Sequence, residues 1–282
     1  IIGMSVMSPQ APDAYLLGEH INRHQPHTTT VIGGSHARYY VDSVKNLPEN
    51  IAFDFIVPQD GWTPMLRIAN GDIKKIGKSS VLLHYETNLL GLPPPTRPIE
   101  LMTRYEFSIA GAPAYHSITA LGCPFTCNFC ESGREKVRNF SKSMIESDLE
   151  TIALTHRNQG RSAYSVMFFD DVGLLNPKQV NDLAQMVSNH KFSTWRAFTH
   201  AYLVVKFKDK LLLPFTETGG KRVGMGLETG SQRTLNLINK RNGQFQSVHE
   251  HYEAVRIVNE AGIAVDAFTM IYPFEDESDL KD

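Results

Sequence analysis

Gly122-Cys123-Pro124-Phe125-Thr126-Cys127-Asn128-Phe129-Cys130 holds all three cysteines of a 282-residue chain. Their spacing is C-x3-C-x2-C. A secreted domain stapled by disulfides spreads an even number of cysteines along its length. Three cysteines packed into one short run are instead a metal or redox pattern, suited to the reducing cytoplasm. The run just before them, 116–120, reads as a strand that delivers the cysteines at its carboxyl end. A strand followed by a ligand-bearing loop is the unit from which the rest of the chain is read.

Beyond the cysteines, helical and strand periods alternate. Ser143-Met144-Ile145-Glu146 has capping-box spacing, and Ile145, Leu149 and Ile152 continue at helical period. Residues 164–169 form the next strand. Asn176-Pro177 then supplies an N-cap and a first-turn proline, with Val180, Leu183, Ala184 and Val187 behind it. Residues 193–198 and 222–227 are two further strands. Ser247 with Glu250 caps a helix that ends at Gly262, and 263–270 is the fifth strand. Strands separated by helices imply parallel crossovers. The expected fold of 116–282 is a partial (β/α) barrel, with chemistry at the carboxyl ends of its strands.

Before the cysteines lies a second α/β pattern. Residues 1–7 are a short apolar run, and Pro12 and Asp13 open a helix in which Tyr15, Leu16 and Ile21 share a face. Thr28-Thr29-Thr30-Val31-Ile32 is β-branched throughout and runs into Gly33-Gly34. Residues 52–57 are a third strand, stopped by Pro58. These features give 1–90 a Rossmann-like open α/β domain. From 91 to 115, Pro93-Pro94-Pro95 and Pro98 interrupt any helix or central strand, because proline lacks the backbone donor; this segment reads as an extended linker. The first residue is not Met, and 275–279 is a charged stretch, so both ends read as cut from something longer.

Bulk composition narrows the function classes. Lys and Arg number 28 against 30 for Asp and Glu, a net charge of −2, which gives no electrostatic footprint for nucleic acid or an anionic membrane surface. No apolar run reaches the roughly 18–20 residues needed to span a bilayer. With 41% hydrophobic residues the chain can bury a substantial core.

Two chemistries suit three thiolates on one loop. Zinc needs a fourth ligand, for which the 11 histidines are candidates, although zinc sites usually pair two C-x2-C halves. A [4Fe–4S] cubane takes three of its corners from such a loop and leaves the fourth iron open to chemistry. The spacing, with an aromatic just before the third cysteine, resembles the radical S-adenosylmethionine (SAM) superfamily. That resemblance implies a cluster held by Cys123, Cys127 and Cys130, whose open iron binds the amino and carboxylate groups of SAM. It also implies reductive cleavage of SAM to a 5′-deoxyadenosyl radical, with an electron donor such as flavodoxin or ferredoxin. Phe168-Phe169-Asp170-Asp171 resembles the second-strand segment of the superfamily, and Gly224-Met225-Gly226-Leu227-Glu228-Thr229-Gly230-Ser231, followed by Leu235 and Lys240, its fourth-strand segment. The residues implied at SAM are Phe129, Phe169, Asp170, Glu228 and Ser231. Trp195-Arg196 and Thr199-His200 on the third strand suit either the cofactor and substrate or plain packing. Two departures stand out: Leu121 replaces an arginine common before the Gly-Cys, and Ile271-Tyr272-Pro273-Phe274-Glu275 lacks two glycines common after the fifth strand.

The amino-terminal part resembles the cobalamin-binding domains fused to radical SAM enzymes. Gly33-Gly34-Ser35-His36 is similar to their "GG-x-H" segment, Gly3-Met4-Ser5 to a serine segment one strand earlier, and Pro58-Gln59-Asp60-Gly61 to a later turn. The resemblance implies Ser5, Gly33 and Gly34 at a cobalamin nucleotide tail. The cobalt-ligating D-x-H-x-x-G loop of many such domains is not in this sequence. The expected activity is cobalamin-assisted methyl transfer or rearrangement on a small-molecule or peptide substrate, with the catalytic residues at that substrate left open. Alternatives are a radical SAM enzyme with a relic cobalamin domain and a metal-stapled binding module without catalysis. A methylthiotransferase needs three further cysteines before residue 122, and there are none.

Overall fold

A computed structural model describes residues 1–133, 135–240 and 247–280. The chain divides into two units, Ile1–Thr87 and Asn88–Asp282. In the first, β1 (Ile2–Ser5), β2 (Thr30–Gly33), β3 (Phe55–Val57) and β4 (Ser80–Val81) form one parallel sheet in sequence order. Its helices are α1 (Ala11–His24), α2 (Gly34–Tyr39), α3 (Val41–Lys45) and α4 (Trp62–Ala69). Strand side chains alternate between faces: Ile32 and Ile56 pack with residues of α1, α2 and α3, while Val31, Phe55 and Val57 pack with Ile68 of α4. The buried stripe of α1 is Ala11, Ala14, Gly18 and Ile21. Leu16, expected on that stripe, is exposed. Small residues won the buried face because α1 lies close on Phe53: a Cβ at Gly18 would sit 3.2 Å from its ring.

The proline-rich stretch is not an extended linker. It contains α5 (Ile99–Met102), β5 (Ser108–Ile109) and the start of β6 (Ala112–Ser117), and it belongs to the second unit. Met102 and Ile109 are buried. Arg97 makes a two-pronged contact with Asp148, from Nε to Oδ1 at 2.6 Å and from Nη2 to Oδ2 at 2.8 Å, and Ser117 Oγ donates to the same carboxylate at 2.7 Å. The prolines break regular structure locally, but the segment's few apolar and charged side chains bind it to the core.

The remaining strands are β7 (Ala120–Leu121), β8 (Arg138–Asn139), β9 (Ser165–Phe168), β10 (Thr194–Thr199), β11 (Gly220–Glu228) and β12 (Ala264–Thr269). The six-stranded sheet runs β12-β11-β10-β9-β6-β5, parallel except at the β5 edge. Around it lie α6 (Lys142–Asn158), α7 (Pro177–Asn189), α8 (Ala201–Phe207), α9 (Asp209–Glu217), α10 (Gln232–Leu237) and α11 (Val248–Glu260). One sheet face, with Tyr115, Val166, Phe168, Trp195 and Val223, packs with helix residues such as Leu149, Ile152 and Val180 in the main core. Full burial of side chains of this size is worth about 1.5–3 kcal/mol each. This is an open, curled half-barrel with helices outside. Because β6 and β9 to β12 are parallel, their carboxyl ends share one edge, and that edge carries the site.

Helix starts follow local chemistry. Asn176 caps α7 ahead of Pro177, and Ser247 with Glu250 forms a reciprocal capping box on α11. On α6 the cap is Ser141, whose Oγ accepts from Met144 N at 3.2 Å, rather than Ser143. Glu146, the expected box partner, bonds His190 Nε2 at 2.6 Å instead. Among the described residues, no helix is long and apolar enough to cross a membrane.

Candidate functional site

The cysteines lie in the loop joining β7 to β8, just beyond the carboxyl end of β6. Two adjacent acids after β9 hold this loop. Asp170 is buried and its carboxylate faces the approach to the loop: Thr119 N donates to Oδ1 at 2.6 Å, Ala120 N to Oδ1 at 3.2 Å, and Thr119 Oγ1 to Oδ2. Asp171 takes the loop itself, accepting from Gly122 N at 3.1 Å and Ser132 Oγ at 2.7 Å. The loop closes where Cys123 N donates to Glu135 O at 3.1 Å. Asn239, after α10, donates its amide to Thr126 O at 2.9 Å, and Asn128 N donates to Ile238 O at 2.9 Å. Loops of this kind stay fixed when their backbone donors have partners.

Gly122 is a position where only glycine serves. Its φ is +87°, and a Cβ there would stand 2.6 Å from Lys136 O. Gly122→Ala is therefore expected to strain the loop by about 1–3 kcal/mol. Iron bound per chain after anaerobic reconstitution should fall well below the parent while the circular dichroism stays unchanged. Equal iron content in the two proteins would contradict this.

Cys123 is buried, Cys127 half-buried and Cys130 exposed. Burial pushes the Cys123 thiol up to about 11, with Asp171 and the other two cysteines adding to the effect and the Phe125 backbone N–H opposing it. Burial also raises the Cys127 thiol, against the pull of Lys240. Among the described residues, no three metal-ligating side chains gather about one point. His200 packs against the loop ring on ring, 4.0 Å from the centroid of Phe125 and nearly parallel to it, and its Nδ1 accepts from Tyr202 N at 3.3 Å.

Across the edge from the loop, β11 ends in a bulge opposite β12 and Glu228 adopts φ +67°. That conformation is uncommon for a residue with a side chain and marks a site held by its surroundings. It turns the carboxylate to the side of Gly226, where Lys240 Nζ donates to Glu228 Oε1 at 3.0 Å. Both side chains are almost fully buried. Gly226 is what makes room, because a Cβ there would come 2.9 Å from Lys240 Nζ and closer still to the carboxylate. Lys240 Nζ also stands 5.8 Å from the centroid of Phe129, one residue before Cys130, and the Phe129 ring meets Tyr272 edge-on at 6.0 Å. The pattern of the fourth-strand segment singles out Glu228. The ion pair with Lys240 and the aromatic contact from Tyr272 are visible only in three dimensions, although Lys240 at a fixed offset was a usable signal.

Other expected site residues have different surroundings. Phe169 is 58% exposed on the inner face of the half-barrel. Asp170, read from the sequence as a cofactor contact, has its carboxylate turned inward and bonded within the chain. Ser231, read the same way, is buried: its Oγ caps α10 by accepting from Thr234 N at 3.2 Å and donates to Asp279 Oδ1 at 2.5 Å. Trp195 is on the helix-packed face, with Nε1 donating to Thr218 Oγ1 at 3.2 Å. Thr199 Oγ1 donates to Leu174 O at 3.2 Å.

In the first unit, Ser5 ends β1 opposite Gly33. Gly34 has φ +82°, and a Cβ there would lie 2.6 Å from Val6 N and 2.8 Å from Val6 O; one at Gly33 would lie 3.0 Å from Val57 O. The need for glycine at both positions is met by the chain's own packing, with no appeal to a ligand. A Gly34→Val variant would accordingly disturb the fold as well as any site. His36 lies between Tyr15, whose hydroxyl is 2.7 Å from Nε2, and Ser8, whose Oγ is 3.2 Å from Nδ1.

An uncharacterized methyltransferase of Pyrococcus horikoshii is 23% identical over 297 aligned positions, covering 100% of this chain and 62% of that protein. Among solved structures, the cobalamin-dependent S-adenosylmethionine radical enzyme OxsB, with aqua-cobalamin and S-adenosylmethionine bound, superposes with a TM-score of 0.76 at 15% identity. That match covers 100% of this chain and 42% of that one. The radical S-adenosylmethionine methyltransferase TsrM from Kitasatospora setae, with tryptophan substrate and a SAM analog, gives 0.72 at 13% identity, covering 99% of this chain and 58% of that one. The chain spans less than two thirds of the length of each of these relatives. Residues 117–282, more than half of the chain and all of the strand-end site, match the radical SAM superfamily, and with three cysteines on the loop after the first barrel strand this chain belongs to that superfamily.

Proposed function

We propose that Cys123, Cys127 and Cys130 hold a [4Fe–4S] cluster and that the Phe129, Glu228 and Lys240 side chains bind SAM beside it. The observation that carries this reading is the buried Glu228–Lys240 pair at the strand ends, next to the cysteine loop. A buried acid and base 3.0 Å apart match the two charges of a zwitterionic amino acid, ammonium to carboxylate and carboxylate to ammonium. The donor set fits the cluster as well, since three soft thiolates suit iron–sulfur chemistry. A cluster held there would supply one electron to the sulfonium of bound SAM, whose carbon–sulfur bond would break to leave methionine and a 5′-deoxyadenosyl radical. The protein's own part is to fix the loop through Asp170 and Asp171, to hold opposite charges out of water, and to cover them with Phe129 and Tyr272.

Anaerobic reconstitution with iron and sulfide, followed by SAM and dithionite, tests this directly. The expected product is 5′-deoxyadenosine; a protein that holds the cluster and forms none is a metal-stapled binding module. Glu228→Gln is expected to keep the iron and raise the SAM dissociation constant. Its amide oxygen still accepts from Lys240, so the loss is one charge-assisted bond, about 1.5–3 kcal/mol or roughly 10- to 100-fold. Equilibrium dialysis with SAM measures it, and unchanged affinity would place Glu228 elsewhere in the reaction.

The finer reading is cobalamin-assisted methyl transfer, with cobalamin bound by Ile1–Thr87. It is supported by the match of the whole chain to cobalamin-dependent radical SAM folds and by the named methyltransferase relative. The competing reading, a relic domain without cofactor, is favoured by Gly33, Gly34 and His36 being fully accounted for by internal packing. Titration with hydroxocobalamin separates the two: saturable one-to-one binding supports methyl transfer, and none supports the relic.

A further inference from the structure

The half-barrel's outer face is buried under helices, whereas its inner face carries a row of rings. His116 on β6, Phe169 after β9, Phe198 on β10 and Phe268 on β12 meet in sequence, with centroid separations of 5.7, 5.6 and 5.9 Å and the first two contacts edge-to-face. The row crosses β11 at Gly224. A Cβ there would come 3.0 Å from Phe268 and closer to Phe198, so glycine is what lets the rings meet. Phe169 and Phe268 are 58% and 45% exposed. Contiguous exposed rings on a concave face are unusual without a ligand to cover them.

Toward the amino ends of the same strands lies a charged floor. Arg196 Nε donates to Asp266 Oδ2 at 2.8 Å, and Arg222 Nη1 stands 3.3 Å from Asp266 Oδ1. The Arg196 guanidinium lies 4.9 Å from the Phe198 centroid, joining floor to rings. Two guanidiniums share one carboxylate, which leaves one net positive charge, and the Arg222 side chain is 50% exposed. Burial, with Arg97 and Arg196 nearby, lowers the His116 pKa, so its ring joins the row as a neutral member near pH 7. Arg222 lies four residues before Gly226 on β11, about 13 Å along a strand at ~3.3 Å per residue. A ligand anchored at Arg222 and running along β11, so that it crosses the row of rings at Gly224, would therefore point its far end at the Glu228–Lys240 level.

We infer that the inner face binds the enzyme's substrate, and that this substrate is a planar aromatic or conjugated molecule bearing an anionic group. Its ring lies against Phe169, Phe198 and Phe268 and its anion is held by Arg222. This deepens the proposed function and rests on it, since only that reading places a radical just beyond the row, at the carboxyl ends of the strands.

The probe is 2-naphthoate, titrated calorimetrically into the reconstituted chain with SAM present. Two controls accompany it: 2-naphthalenemethanol, planar but neutral, and cyclohexanecarboxylate, anionic but not planar. The expected result is saturable one-site binding of 2-naphthoate, with both controls at least about tenfold weaker. Arg222→Gln should bring 2-naphthoate down to the level of the neutral compound while leaving the neutral compound unchanged, which also verifies that the variant pocket is intact. Phe268→Ala should weaken both aromatic ligands. No saturable binding of 2-naphthoate, or binding indifferent to Arg222→Gln, overturns the inference. Formation of 5′-deoxyadenosine is assayed in the same preparations. SAM cleavage without naphthoate binding removes the substrate class alone, whereas naphthoate binding by a cluster-loaded protein that cleaves no SAM removes the proposed function.

Discussion

Cys127→Ala is expected to leave the chain folded and unable to carry the cluster. Reconstituted protein should lack the brown absorbance and iron content of the parent, and 5′-deoxyadenosine should fall to background. The physical reason is the donor count. Two thiols cannot take three corners of a cubane, and the chain has no spare cysteine. The fold should survive because the loop's anchors lie elsewhere: Asp171 on Gly122 and Ser132, and Asn239 on Thr126. The main core around Leu149, Ile152 and Trp195 does not include Cys127. Far-ultraviolet circular dichroism and the urea midpoint check that half of the statement. Deoxyadenosine formed at the parent rate by the variant would remove the cluster assignment altogether.

Lys240→Met should have the largest effect on stability. It leaves Glu228 as an unpaired buried carboxylate beneath Phe129 and Tyr272. Breaking a buried pair by removing one partner costs about 3–5 kcal/mol, most of it the penalty of the stranded charge. Urea unfolding of the second unit's signal should show a loss of that size, and SAM binding should disappear with it. The double variant Lys240→Met/Glu228→Gln should recover most of the stability, since neither charge is then buried, and none of the SAM affinity. This non-additivity distinguishes a site pair from an ordinary surface bridge, which is worth about 0–1 kcal/mol. Recovery of SAM binding in the double variant would mean that the pair serves the fold alone.

Much of the site was legible because its signals are local. Cysteine spacing, the acids after a strand and the glycines before Glu228 are all properties of a few consecutive residues. A side chain that the resemblance assigns to a ligand can also serve the chain itself. Asp170 and Ser231 belong to recognisable segments, but each is engaged within the protein, one bonding Thr119 and Ala120, the other capping α10 and bonding Asp279. Asp171, the neighbour that grips the cysteine loop, gave no sign distinguishing it from Asp170. Gly33 and Gly34 carry the same lesson: close approach to a ligand and close approach to Val57 and Val6 leave the same residue in the sequence.

The sequence by itself determined the ligand loop, the alternation of strands and helices in both units, and the caps at Asn176 and Ser247, because each depends on backbone propensity or on partners within a few residues. It could not place the proline-rich segment, since Arg97 finds Asp148 only after α6 has packed on the sheet. The same holds for the Glu228–Lys240 pair, the ring of Tyr272 over Phe129 and the row from His116 to Phe268. Those side chains are far apart along the chain and come together only through strand order and register, with the bulge at Glu228 turning its carboxylate to the inner face. Tertiary structure decided them because parallel pairing sets which strand ends are neighbours, and no local stretch of sequence encodes that order.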